Sequence, residues 1–202
     1  MGNRRERQAD ATRTEIVAAA RELFLSRGYV RTSVTAVAQL AGVAVQTIYN
    51  SIGNKAALLA AVVDRQATGP DAPRSASEFL QEREDATGGL AGLSGLLADW
   101  IAEVNAGSTD ILTLIHQTAA VYPEVAALER ERGERRLTNY GRAAALARAR
   151  GGLRSGTSDA EAAASIWTLG HPQAYRSLVV EGDWTQEAYR RWLTTSLRAV
   201  LA

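Results

Sequence analysis

Apolar residues in this chain recur at the three- and four-residue spacing of a helix face, and nowhere do they alternate over the length a strand needs. An all-α fold is therefore expected. Ile16, Ala20, Leu23 and Phe24 make the first stripe. With Thr12 and Glu15 spaced as a capping box and Gly28 placed to stop the helix, the pattern predicts a helix over 12–27. Ser33 is placed to cap a short second helix that turns Val34, Val37 and Ala38 inward. Gly42 marks a turn, a third helix runs over Val45 to Asn50, and Asn54 caps a fourth carrying Ala57, Leu58, Ala61 and Val62. Residues 68–76 hold two of the four prolines and read as a linker. Further helices are predicted over 77–86, 88–106, 109–121, 123–150, 158–181 and 185–201. Pro123 suits a first helical position, Gly151 and Gly152 a stop, and Ser158 with Glu161 a second capping box; Pro172 should bend or restart the chain after Gly170. The expected organisation is a head over 1–53 with a helix-turn-helix, a linking helix over 54–67, and a helical body over 68–202.

Hydrophobic residues at 46% and charged residues at 22% place the 202-residue chain among ordinary globular proteins, with enough length for a sizeable core. It has no cysteine, which excludes disulfides, thiolate nucleophiles and cysteine-based zinc sites together. With only two histidines far apart and no phosphate-cradling glycine loop, neither catalysis nor a metal or other cofactor is expected. The charged start MGNRRERQAD and the lack of a run of about 20 apolar residues point away from export and membrane insertion, so a cytoplasmic location is expected. Residues 1–65 carry nine basic side chains against five acidic, and the remainder fourteen against seventeen. A basic head on a mildly acidic body suits contact with a polyanion, because neutralising phosphates releases counterions. Arg4, Arg5 and Arg7 read as a solvated tail ahead of the first helix.

A DNA-reading helix-turn-helix needs two short helices locked so that the second enters the major groove. Ala38 permits their close approach, Gly42 the positive φ of the turn, and Val37, Val43 and Ile48 a small core between them. Val45, Gln46, Thr47, Tyr49 and Asn50 are then left facing outward, without a charge among them. Gln46 has the bidentate pattern for an adenine edge, and Val45 or the Thr47 methyl can touch a thymine methyl. The stretch ARELFLSRGYVRTSVTAVAQLAGVAVQTIYNSIGNKAALLAAV resembles the N-terminal domain of the TetR family of bacterial regulators. The resemblance implies backbone contacts by Tyr49 and Lys55, the only lysine in the chain, and phosphate contact by Thr32 or Ser33. Two positions depart from the family pattern. Ala44 stands where a hydroxyl residue usually caps the recognition helix, a loss of about 1 kcal/mol, and Ile52 replaces a phenylalanine.

In the last helix Ala188 and Tyr189, Trp192 and Leu193, Ser196 and Leu197, and Val200 and Leu201 form apolar pairs on one face, and the preceding segment offers Ala162, Ala163, Ile166 and Trp167. The segment ASIWTLGHPQAYRSLVVEGDWTQEAYRRWLTTSLRAVL is similar to the C-terminus of one branch of the TetR family, which implies a homodimer built on these helices. Ala162, Ala163, Ile166, Tyr189, Trp192, Leu193, Leu197 and Val200 are the interface candidates. The family places a small-molecule effector in the body, where Trp100, His116, Gln117, Tyr140, Trp167, His171 and Tyr175 are polar or aromatic residues on apolar faces. His116 also fits a hydrogen-bonded core histidine, His171 a helix cap, and ERERGERR over 129–136 a solvated face with Glu131 and Arg135 paired. The expected function is a regulator, chiefly a repressor, that binds a palindromic double-stranded DNA operator as a dimer and is released by an effector. The alternative is a TetR-fold ligand-binding or interaction protein without specific DNA recognition.

Overall fold

The chain, described by a computed structural model over residues 4–68, 78, 89–149 and 153–201, holds only helices among its regular elements there. They are α1 (Arg4–Arg31), α2 (Val34–Leu40), α3 (Val45–Ser51), α4 (Lys55–Thr68), α5 (Gly89–Ala119), α6 (Pro123–Ala149), α7 (Asp159–Leu169) and α8 (Pro172–Tyr175). A wider π-helical stretch (Arg176–Glu181) and α9 (Gln186–Leu201) follow. The helix expected over 77–86, most of the linker over 68–76 and the Gly151–Gly152 stop lie outside the described residues.

Most start and stop signals act as the residues dictate. The Ser33 hydroxyl accepts the Ala36 N–H at 3.0 Å, Asn54 Oδ1 accepts the Ala57 N–H at 2.9 Å, and Ser158 and Glu161 close a reciprocal capping box. Gly28 has φ 78° and interrupts α1, and Gly42 has φ 67° in the turn between α2 and α3. Pro172 opens α8 after Gly170, with the His171 ring nitrogen Nδ1 accepting the Gln173 N–H at 3.2 Å, so His171 is a helix cap.

Three boundaries differ from the sequence reading. α1 begins at Arg4 and not at Thr12, because the Arg, Glu, Gln and Ala residues ahead of Thr12 are all good helix formers; the arginines read as a tail are its first turns. Residues 88–106 and 109–121, expected as two helices, are a single 31-residue helix, α5. Gly107 stays right-handed, and the Ser108 and Thr109 hydroxyls donate back to the carbonyls of Val104 and Asn105, each at 2.6 Å, instead of starting a new cap. The segment over 158–181, expected as one range that Pro172 bends or restarts, is restarted at Pro172 and widens to a π-helical stretch from Arg176, so it is three pieces.

By compactness the chain divides into two units that are not consecutive in sequence. Unit 1 holds residues 1–72 and 110–129, and unit 2 holds residues 73–109 and 130–202. A cut at residue 68 leaves 110–129 with the body, whereas compactness groups that stretch with the head. In unit 1, Ile16, Phe24, Val37, Ile48 and Leu58 of α1 to α4 share a core with Ile111, Ile115 and Val125. Each such side chain stabilises the fold by about 1.5–3 kcal/mol when fully buried. In unit 2, Leu97, Ile101, Tyr140, Ala143, Ile166, Tyr189, Leu193 and Leu197 form a second core. Gly170 is packed so closely there that a Cβ would lie 2.9 Å from the Ile101 Cδ1.

Candidate nucleic-acid interface

α2 and α3 are joined by a tight turn in which the Val43 N–H donates to the Ala38 carbonyl at 3.0 Å. Val37, Ala38 and Ile48 are buried between the helices and their neighbours, which fixes the face that α3 presents outward. Gln46, Tyr49 and Asn50 are exposed, Tyr49 at 49%, while Val45 and Thr47 are half-buried at the edges. Tyr49 is a surface tyrosine and no part of the core. Ala44 gives α3 no side-chain cap. At the opposite end the Arg13 guanidinium of α1 donates to the Ser51 carbonyl at 2.6 Å, satisfying a C-terminal acceptor of α3 and complementing its dipole. No motif marks Arg13 in the sequence; its only signal is a cation on the exposed face of α1 facing a helix end that tertiary packing brings to it.

Thr32 and Ser33 part ways. The Thr32 side chain is buried, and its hydroxyl lies 3.0 Å from the Leu23 carbonyl and 2.9 Å from that of Gly28. It ties off the last turn of α1 and has no surface for a phosphate, so that candidate is corrected. Ser33 is exposed and uses its oxygen as an acceptor for α2, which leaves its O–H free to donate outward. Lys55 is half-buried. Its ammonium sits 4.3 Å from the centroid of the Tyr29 ring and donates to the Val30 carbonyl at 3.2 Å. Burial lowers its pKa below the ordinary lysine value, and Glu124 works in the opposite direction. An ammonium has three donors, so Lys55 ties α4 to the end of α1 and still has an N–H to offer.

The effector candidates do not form one group. Trp100, Tyr140 and Tyr175 are buried in unit 2, Trp100 edge-on to Tyr140 at 6.1 Å and Tyr175 edge-on to Tyr189 at 5.0 Å. Asn105, buried beside them, donates to the Gly170 carbonyl at 3.1 Å and to the Tyr189 hydroxyl at 3.4 Å. Burial pushes the Tyr189 phenol up to about 12 and that of Tyr140 further. Trp167 lies edge-on to His171 at 4.9 Å, and its buried indole N–H has no hydrogen-bond partner among the described residues. His116 and Gln117 belong to unit 1 and are exposed. His116 is no core histidine; its Nδ1 meets Glu129 at 2.8 Å on the surface. Glu131 and Arg135 pair at 2.8 Å in the open, as a solvated helix face would.

Of the dimer candidates, Ala162, Ala163, Ile166, Tyr189, Leu193 and Leu197 are consumed by the core of their own unit, because the broad face of α9 splits lengthwise. One half, Tyr189, Leu193, Leu197 and Leu201, points inward. The other leaves Trp192 and Val200 with surface, and Trp184, Ala188 and Trp192 line an open groove. Among the described residues no cluster of His, Asp and Glu suits a metal, and no helix is long and apolar enough to cross a membrane.

The short pair α2–α3, the outward face of α3 and the glycine turn at Gly42 coincide with a known pattern: residues 16–62 match the bacterial regulatory proteins of the tetR family. Over this stretch the head is similar to the tetR family. Over 64 residues this chain is 41% identical to the HTH-type transcriptional regulator TtgR of Pseudomonas putida, a stretch that covers 32% of this chain and 30% of that relative. The match thus spans less than a third of the relative's length. Among solved structures, NalD of Pseudomonas aeruginosa, the secondary repressor of the MexAB-OprM multidrug efflux pump, is similar with a TM-score of 0.72 at 22% identity, over 97% of this chain and 98% of that one. GusR of Salmonella enterica gives 0.70 at 18% identity, over 95% of each. At these identities the likeness is one of fold, and it extends the TetR architecture beyond the head.

Proposed function

We propose that this protein is a ligand-responsive transcriptional repressor that holds two copies of α3 about one duplex turn, roughly 34 Å, apart on a palindromic operator. The observation that carries this reading is the outward face of α3, where Gln46, Tyr49 and Asn50 are exposed over the buried Ile48. Val45 and Thr47 supply methyl contacts at its edges, Gln46 reads a base edge, and Tyr49, Ser33 and the remaining N–H of Lys55 hold phosphates. The dimer forms on the outer half of α9 around Trp192 and Val200, where apolar surface remains. The effector enters unit 2 among Trp100, Tyr140, Trp167, His171 and Tyr175, a setting that favours a largely apolar, aromatic-stacking molecule with an acceptor for the orphaned Trp167 indole N–H. Its binding lowers operator affinity only by as much as it prefers the released conformation. Repression, in preference to activation, is also the role stated for NalD.

A second reading, a TetR-fold binding protein that does not recognise DNA, is favoured by the uncapped, uncharged α3 and by the inward engagement of Lys55. One experiment separates the two. The full chain is offered a pool of random duplexes at low salt, and the retained sequences and the mass of the complex are read. A repressor retains palindromes bound by two copies, and Lys55→Ala weakens binding to all sequences alike and reduces the salt slope by about 1. No retained duplex, or an unchanged slope together with a random pool, leaves only the second reading.

A further inference from the structure

On the exposed face of α3 the Gln46 amide donates from Nε2 to Oδ1 of Asn50 at 2.9 Å, one helical turn away. This bond constrains both readers. A carboxamide nitrogen carries two N–H groups, one on the same edge as its own oxygen and one on the far side. A bidentate contact to adenine uses the oxygen and the N–H on its edge, so the far N–H is free to be held by Asn50 without spoiling the adenine pattern. Asn50 in turn has one of the two lone pairs of its carbonyl oxygen engaged, which ties its side-chain orientation to that of Gln46. The backbone beneath the pair is fixed, because Ile48 is buried and Arg13 holds the Ser51 carbonyl.

Resting on the DNA-reading function proposed above, we infer that Gln46 and Asn50 read the operator as one coupled carboxamide pair. Asn50 is the positioning residue that sets the Gln46 amide for an adenine. Side-chain freedom explains why the coupling matters. A free glutamine loses rotamer entropy when it is ordered, and a partner that orders it beforehand sharpens discrimination without touching the base.

The test uses the full chain and the half-site selected from random duplexes. Affinity is measured for that site, for each single-base variant of it and for an unrelated duplex, with wild type, Gln46→Ala, Asn50→Ala and the double substitution. Gln46→Ala is expected to erase a preference for adenine at one position, a loss of roughly 5- to 150-fold in discrimination. Asn50→Ala is expected to weaken that same preference, and the double substitution to cost no more there than Gln46→Ala alone. Helical circular dichroism and the melting midpoint of each variant should match wild type, which shows that every variant is folded. The inference is overturned if Asn50→Ala relaxes a different base position and the two effects multiply, since the residues then read independently. A wild-type chain with no base preference at all overturns the DNA-reading function, and with it the coupled readout.

Discussion

Thr32 and Ser33 carry the same hydroxyl, and depth alone separates what each can do. Thr32 is enclosed and spends its hydroxyl on the carbonyls of Leu23 and Gly28, while Ser33 sits at the surface as the cap of α2. Thr32→Val keeps the shape and strips the donor from the buried Leu23 carbonyl and the part-buried Gly28 carbonyl. It should cost about 1–3 kcal/mol of unfolding free energy, read by urea denaturation, and leave the salt slope of duplex binding as in wild type. A change in slope without loss of stability would return Thr32 to the phosphate contacts. The neighbours were indistinguishable in sequence, because a hydroxyl's burial depends on where α1 ends, and Gly28 with its φ of 78° decides that. Gln46, Tyr49 and Asn50 were legible, since one buried position, Ile48, fixes by helical geometry which others face out. Arg13 was not, because its partner is a backbone carbonyl thirty-eight residues away.

The elements that carried strong end signals formed where their caps stand, and α5 shows how such a signal is overruled. Gly107, Ser108 and Thr109 look like a stop and a start, yet the apolar positions continue in helical register from Ile101 to Ile111 and Ile115, and burying them outweighs the local preference. Gly107 is therefore a helical glycine with open space around it, since a Cβ there would meet nothing within 4 Å. Gly107→Ala should raise stability by about 0.5–1 kcal/mol. Gly170→Ala should lower it, because its Cβ would lie 2.9 Å from both the Ile101 side chain and the Ile166 carbonyl. Melting curves of the two variants check the contrast, and equal shifts of one sign would show that α5 is broken at Gly107.

At the scale of the molecule the two cores each enclose phenols whose ionisation burial opposes. Tyr29 in unit 1 and Tyr189 in unit 2 are both raised from 10.0 to about 12, the first also by Glu124 and Tyr122. Because the folded state holds these protons more tightly than the unfolded state, their contribution is complete below pH 10 and is lost as pH rises toward 12. Lys55, with its lowered pKa, acts in the opposite sense. The urea midpoint should accordingly fall between about pH 10 and 12, and less steeply in Tyr29→Phe than in wild type; parallel curves would place the Tyr29 phenol in solvent. Local order in the chain was enough to specify the helices, the turn at Gly42 and the reading face of α3, because these follow from spacings of three and four residues and from single residues with special backbone freedom. Packing was needed to settle that residues 110–129 complete the core of the head, that His116 and Gln117 belong to a different compact unit from Trp100 and Tyr140, and that α9 gives half of its apolar face to its own unit. An apolar stripe states that a face must be covered, and which element covers it is fixed by shape and area between segments far apart in the chain.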